Sequence, residues 1–385
     1  MTTSRRGFIR VVGSGAAIVA AGSMGLAGCD SMPDAAIAAW QGPSPDMRDP
    51  RLRALSYAIL APNPHNMQAW LVDLRVPDRV ILHVDRTRLL PMTDPYSRQV
   101  MIGQGTFLEL LAIAAAEQGY RADVALFPEG EYSSREMSDA PIAHVAFRRD
   151  PAIRPYPLFG QILRRHTTRS EYELRPLEPA HSAQLRALSG SPDVGYTLIE
   201  NEPVLSGVRA ITADAFSDEM TNLRTLKETV DRSRIGAGDI AAHRDGLSFH
   251  GTFFWWAHAL GIMTPQAMLT PGSIAFKTTI DTGRRWAMST AAFGVLTTAG
   301  NSRVAQIAAG RAYVRAHLLA TALGIVQAPV SQVLEEYPEV AEAQARLYKL
   351  LGTPPGHTIQ MLYRIGYGEM GEAAPRRPLR DLLLA

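Results

Sequence analysis

The sequence predicts an α+β fold. Strand-like runs come in hairpin-like pairs, and helix-like runs are mixed among them without regular β-α-β alternation. Of the 385 residues 46% are hydrophobic, and 39 Lys and Arg stand against 37 Asp and Glu. Such a balance describes a folded globular chain and argues against a disordered protein or an acidic or basic tail. No nucleic-acid partner is expected. The length allows two or three domain-sized units.

Residues 1–29 are set aside as a leader. Ser4-Arg5-Arg6-Gly7-Phe8 fits a twin-arginine export signal, and an apolar stretch runs from Val11 to Leu26. Leu26-Ala27-Gly28-Cys29 resembles a lipobox, in which the cysteine is lipidated and becomes the new N-terminus. Cys29 is the only cysteine, so no disulfide is expected in the mature chain. Several acyl chains on one residue give stable anchoring where one does not. Asp30 follows, as in lipoproteins kept at the inner membrane. The expected location is therefore the cell envelope, on the periplasmic face of the inner membrane. A plain transmembrane anchor, or a cleaved signal with a chance cysteine, is the alternative.

Residues 30–50 are rich in Pro, Ser and Asp and read as a tether. A first unit covers 51–150. Arg51 to Leu60 is helical and stops at Ala61-Pro62-Asn63-Pro64. Strands are expected at 69–74, 79–84, 121–127 and 142–147, with a buried helix from Phe107 to Gly119. Gly103 and Gly105 read as turn residues opening that helix; a third glycine would fall at Leu108, too large for a dinucleotide loop. A second unit covers 151–385. It opens with a helix through Ile162-Leu163-Arg164-Arg165. Helices follow at 203–232, 250–262 and 305–323, a buried strand lies at 292–298, and Ile359 to Ile365 leads into Gly366-Tyr367-Gly368. No close internal repeat is visible.

The ten histidines are scattered, with no pair at helical spacing, so no metal site is expected. Four segments carry candidate chemistry. Arg164-Arg165-His166-Thr167-Thr168-Arg169 gathers three guanidiniums and two hydroxyls, which suits a phosphate monoester or a solvated basic helix end. Pro62-Asn63-Pro64-His65-Asn66-Met67-Gln68 is a stiff loop whose amides suit the polar edge of a heteroaromatic ring; it also reads as a plain connector. The extended segment 322–332 contains Pro329, Val330 and Ser331. Gly366-Tyr367-Gly368 precedes Arg376 and Arg377, two arginines in a basic tail.

Together these segments resemble the nitroreductase family. Its members share Ala-Pro-Ser-x-x-Asn-x-Gln-Pro-Trp, an early Arg-x-Ser-x-Arg/Lys, a Gly-Leu/Ile turn before a Pro, and a late Gly-Tyr followed by Arg. The order is rearranged here: Arg165, Thr167 and Arg169 come after the Asn-x-Gln-x-Trp element. That layout is similar to the Acg-type nitroreductase-like proteins, which also share a segment like Asp94-Pro95-Tyr96-Ser97-Arg98-Gln99 to Gly105. The resemblance implies two fused nitroreductase-like halves acting as a pseudo-dimer in a monomer, with flavin mononucleotide (FMN) as cofactor and one complete site.

By the same resemblance, Arg165, Thr167, Arg169, Arg376 and Arg377 would hold the phosphate and the N1/O2 edge of the ring. Positive charge near N1 stabilises the anionic reduced form. Pro62, Asn63, Asn66 and Gln68 would contact the flavin from the other half, and Pro329, Val330 and Ser331 would present backbone near N5. Asn63 stands where the family has Ser, Ala69 where it has Pro, and Ser331-Gln332 where many enzymes have Glu-Gly. No catalytic residue is assigned. The implied activity is reduction of a nitro, quinone or other small acceptor, with an unknown donor. The alternatives are a non-enzymatic FMN-sequestering or storage protein, and a partner-binding lipoprotein with a degenerate site. Residues 203–262, with Phe253-Phe254-Trp255-Trp256, read as a lid or as core packing.

Overall fold

After short turns at Asp34–Ile37 and Ala38–Gln41, Asp49 starts α1 (Pro50–Ala58). Its carboxylate accepts the Arg51 N–H at 2.8 Å, and Pro50 sits where no N–H is needed. The computed structural model describes residues 30–188 and 193–384, so the twin-arginine signal and Cys29 lie outside the described residues. After α1 come β1 (Trp70–Asp73), β2 (Arg79–Val84), α2 (Arg98–Glu117), β3 (Tyr120–Leu126) and β4 (Ala143–Arg149). The four strands form one antiparallel sheet in the order β1-β2-β4-β3. Val80, Leu82 and Val84 alternate inward along β2 and pack with Trp70, Phe107, Leu111 and Val145.

The second half repeats that path around an insertion. It begins with α3 (Pro179–Ala187) and β5 (Gly195–Ile199). The insertion holds α4 (Val204–Thr221), α5 (Leu223–Asp231), β6 (Ser233–Ile235), α6 (Ala237–His243), β7 (Leu247–Phe249), α7 (Thr252–Ala259) and α8 (Ile274–Met288). The half closes with β8 (Ala292–Ala299), α9 (Arg303–Ala322), β9 (Val326–Pro329), α10 (Ala341–Leu350) and β10 (His357–Gly366). Its sheet is again antiparallel, in the order β5-β8-β10-β9. In both halves the strand order is first, second, fourth, third, and a 20-residue helix joins the second strand to the third.

The two long helices cross in the middle of the molecule, backbone against backbone. A Cβ on Gly105 would overlap the carbonyl oxygen of Ile307, and a Cβ on Gly310 would overlap that of Ile102. Each helix also starts with a buried arginine that grips the opposite half. Arg98 donates to the carbonyls of Gln360 at 2.8 Å and Leu334 at 2.6 Å. Arg303 donates to those of Tyr96 at 3.0 Å, Ser133 at 2.9 Å and Glu136 at 3.1 Å. Arg98, Ile102, Gly105 and Arg303, Ile307, Gly310 have identical spacing. An internal repeat is therefore present, carried by three positions too sparse to stand out in the sequence.

Most expected elements appear, with four differences. The buried helix begins at Arg98 rather than Phe107, so Gly103 and Gly105 are mid-helix residues and not turn residues. The helix through 162–165 is absent: a short 3-10 turn, Phe159–Gln161, precedes an irregular run that crosses between the halves. There the Arg165 N–H still bonds to the Gln161 carbonyl in a single turn, but by Thr168 the backbone bonds to Gln327 instead, and the Arg165 side chain reaches Leu60. Residues 30–50 lie against the fold, with Ala36 fully buried and Trp40 bonded through Nε1 to the Ala374 carbonyl at 2.8 Å. Finally Phe253, Trp255 and Trp256, read as lid or core, are solvent-exposed.

Gly310→Ala is expected to destabilise the fold by about 1–3 kcal/mol, because the helices must part. Gly238→Ala on α6, with nothing within 4 Å of the new methyl, is expected to be neutral or to stabilise by up to about 1 kcal/mol. Urea midpoints compare the two; equal effects would mean the crossing is loose.

Candidate functional site

The loop between α1 and β1 is the centre of the site. His65, Asn66 and Gln68 all have left-handed backbones, with φ of 44°, 52° and 52°. Such conformations cost of order 1–3 kcal/mol each outside glycine and persist only where surroundings over-determine them. Here they do. Asn63 Oδ1 accepts the Gln68 N–H at 2.7 Å, and Asn63 Nδ2 donates to the Ala61 carbonyl at 3.1 Å. Gln68 Nε2 donates to Arg244 of the insertion at 2.9 Å, and its Oε1 accepts the Arg377 N–H at 2.8 Å. From behind, α2 holds the loop through Thr106 Oγ1 to Pro62 O (2.7 Å) and Gln104 Nε2 to Ala69 O (2.9 Å).

Two buried guanidiniums converge on this loop. Arg165 donates to the Leu60 carbonyl at 2.8 Å, and Arg376 donates to the same carbonyl at 3.0 Å. Arg376 also donates to Asn66 Oδ1 at 2.8 Å. Trp40 lies beside both, its ring 5.7 Å from the Arg165 guanidinium carbon and 5.1 Å from that of Arg376. Burial lowers the Arg165 pKa to about 10; burial and then Arg165 itself lower that of Arg376 to about 9. His317 of α9 faces Arg165 at 3.3 Å, and burial followed by that guanidinium holds its pKa well below the usual value.

Arg169 lies beyond His65. Its side chain is accessible, yet crowding by protein lowers its pKa, which describes a guanidinium lining a recess. Burial, then Arg169, then Arg232 push the His65 pKa down to about 4. Arg232, at the end of α5, is the insertion's contribution. Among the described residues no carboxylate pairs with Arg165, Arg169, Arg232 or Arg376, and the Nε atoms of Arg165, Arg232 and Arg376 are buried without a partner. Buried cations are normally paired. His65 Nδ1 is likewise buried and unpartnered, and nearby Tyr313 and Gln327 have only each other as side-chain partners. The recess can therefore take a multiply charged anion together with a polar ring.

The structure brings together Pro62, Asn63, Asn66, Gln68, Arg165, Arg169 and Arg376. The amides of Asn63, Asn66 and Gln68 are engaged in holding the loop and Arg376, rather than offered to a ligand. Arg377 donates to the Gln68 and Asp381 carbonyls and lies 3.6 Å from Asp85, so it too fastens the loop. Thr167 is half-buried; its neighbour Thr168 makes the bonds, donating its N–H to Gln327 O at 3.2 Å and accepting from Gly371 N at 3.0 Å. Pro329 has no N–H, and the Val330 N–H is given to the Leu362 carbonyl at 3.0 Å. Of the segment 329–331, only Ser331 retains an uncommitted amide. Arg232, His317, Tyr313, Gln327 and Trp40 were not singled out by sequence. Only Trp40, a lone aromatic in a Pro- and Ser-rich stretch, carried a signal.

A buried acid pair lies beside Ser331. Glu219 of α4 and Glu335 are both buried. Burial raises Glu219 to about 7, partly offset by hydrogen bonds from Gln332 and Thr229; burial and then Glu219 raise Glu335 well above the carboxylate range. A raised folded-state pKa contributes stability that is present at low pH and lost as pH rises through the folded value. Glu219→Gln should therefore gain stability relative to wild type between about pH 4.5 and 7, measured by urea unfolding. A pH-independent difference would mean the carboxyl is ionised.

No family model matches the chain. A Mycobacterium tuberculosis protein named as an NAD(P)H nitroreductase is 26% identical over 341 residues, covering 85% of this chain and 88% of its own. The NAD(P)H nitroreductase acg of the same organism is 25% identical over 351 residues, covering 86% and 93%. An FMN- and NADPH-dependent nitroreductase from Sphigopyxis sp., solved as a crystal structure, aligns with 59% of this chain and 97% of its own at 14% identity and a TM-score of 0.37. The chain is thus similar along most of its length to proteins named as nitroreductases, the Acg protein among them, and its fold is α+β.

An anion in the recess would offset Arg169 and Arg232 and raise the His65 pKa. NMR titration of the His65 ring is expected to show a midpoint near 4 in the ligand-free protein, moving upward with FMN. A midpoint near 6.5 without ligand would mean that the ring is not buried beside Arg169 and Arg232.

Proposed function

We propose that the protein is an FMN-binding oxidoreductase whose single site lies between its two halves. The observation that carries this reading is the set of four arginines, Arg165, Arg169, Arg232 and Arg376, left without carboxylate partners around a strained loop. FMN fits that set: a phosphate dianion would answer the unpaired charge, and the ring's polar edge would answer His65. Arg165 and Arg376, already immobilised by the Leu60 carbonyl, would bind phosphate without further loss of side-chain freedom. Arg169 would place positive charge at the N1/O2 edge, where it favours added electron density on the ring. When bound, FMN supplies the redox-active ring that passes electrons to a small acceptor of nitro or quinone type. The M. tuberculosis relatives are named as NAD(P)H nitroreductases and solved neighbours hold FMN, which supports this reading.

The leader supports export by the twin-arginine route and anchoring through a lipidated Cys29. An exported protein meets no NAD(P)H pool, so the donor would lie on the membrane side. A second reading, FMN sequestration, is favoured by one observation: the Val330 N–H and the loop amides are already spent within the protein.

An absorbance spectrum of the purified protein tests the main reading. Flavin bands near ~450 nm that bleach with reductant and return with a small acceptor are expected; bound flavin that no acceptor reoxidises would favour sequestration. Arg169→Met removes no protein hydrogen bond, so stability should hold while FMN affinity falls about 10- to 100-fold, the usual worth of a charged hydrogen bond. Full flavin occupancy in that variant would sink the assignment.

A further inference from the structure

We propose that the exposed face of helix α7 rests on the surface of a lipid bilayer. The helix reads Thr-Phe-Phe-Trp-Trp-Ala-His-Ala, and only Ala257 in it is buried. Phe253 is 57% exposed, Trp255 38% and Trp256 44%; Leu260 just beyond is 56% exposed. Residues 246–276 contain no Asp, Glu, Lys or Arg. A lid buries its apolar side chains on what it covers, and a core helix buries them in the fold; these are turned to solvent. Clustered exposed apolar groups of this kind mark an interaction surface.

The occupant follows from where the preceding chain joins. The Asp30 carboxylate accepts the Ala237 N–H at 2.6 Å and the Gly251 N–H at 3.0 Å, and the Asp30 carbonyl accepts the Gly251 N–H at 2.9 Å. Gly251 is the N-cap of α7. The 29 residues before Asp30, with their apolar stretch from Val11 to Leu26, therefore enter the fold at the first turn of the aromatic helix. An anchor at that point would bring α7 to the membrane. The side-chain chemistry agrees. Tryptophan and phenylalanine without charges suit the interfacial layer, where apolar ring bodies sink and indole N–H groups meet lipid carbonyls. Neither the Trp255 nor the Trp256 indole N–H donates to a protein group among the described residues. His258 leaves one polar tip on the helix. Several such rings give weak binding alone and stable binding beside an anchor.

The proposal uses the anchoring reading to identify the occupant but not the flavin reading, and the experiment separates them. The full chain carrying Cys29→Ser, which cannot be lipidated there, is mixed with vesicles of phosphatidylethanolamine and phosphatidylglycerol with brominated acyl chains. Tryptophan quenching and co-flotation are expected. Phe253→Ser/Trp256→Ser in the same background should lower the floated fraction at least tenfold, while Leu223→Ser, an exposed site away from α7, leaves it unchanged. Vesicle binding by α7 in a chain whose native Cys29 proves unacylated by mass spectrometry would still support the docking face while ending the lipoprotein reading. Flotation that ignores the α7 substitutions would assign binding to the leader and overturn the proposal. So would absence of flotation, or an α7-dependent dimer that does not float. The flavin spectrum of each sample reports separately on the site.

Discussion

Everything in this molecule hangs on the close crossing of α2 and α9. Gly105 and Gly310 let two backbones meet where any side chain would hold them apart. Arg98 and Arg303 then tie each helix start to the opposite half, mostly through carbonyls, with Arg98 Nε also 3.5 Å from the Glu336 carboxylate. The glycine contacts are reciprocal, Gly105 against Ile307 and Gly310 against Ile102, as in an isologous dimer contact. Because the halves approach this closely, the irregular run after β4 can carry Arg165 to the Leu60 carbonyl, and the C-terminal segment can bring Arg376 to the same atom. The C-terminus returns to the first sheet as well, where Leu384 N–H reaches the Val72 carbonyl at 2.8 Å.

The electrostatics of the recess are unbalanced by design of the partners. Backbone carbonyls and neutral amides orient the guanidiniums without neutralising them, so their charge stays available. A carboxylate in place of Asn66, bonded as that residue is to Arg376, would complete an ion pair and reduce the pull on an incoming anion. The same logic explains the neutral imidazoles. His65 and His317 sit beside arginines in surroundings that cannot support another proton. The strained loop is the mechanical counterpart: α2 and the insertion hold it from two sides, and it keeps Asn66 in position for Arg376.

Sequence pattern located the four strands of the first half and β8, because alternating burial in β2 and the apolar run of β8 are local signals, but it gave no strand at β5, β6 or β7. It gathered most of the site as well, since Arg165, Arg169 and the 62–68 loop carry recognisable residue types. What it missed is non-local. The helix α2 is apolar on most faces, so no periodicity marked its true start at Arg98, and its glycines looked like turns. Their reason for being there lies on another helix. Arg232 ends a half-buried amphipathic helix, and only the folding of the insertion onto the 63–68 loop makes it part of the recess. The roles of Asn63 and Gln68 changed for a similar reason: an amide's chemistry is visible in sequence, but which partner claims it first is not.

Joining the halves in one chain has a thermodynamic effect on the site itself. A site built between two separate subunits weakens on dilution, because its assembly depends on protein concentration. Here Leu60 and Arg165 belong to one polypeptide, and their encounter is governed by a fixed effective concentration. A recess assembled within one chain in this way does not depend on meeting a second copy, even at a few molecules per cell.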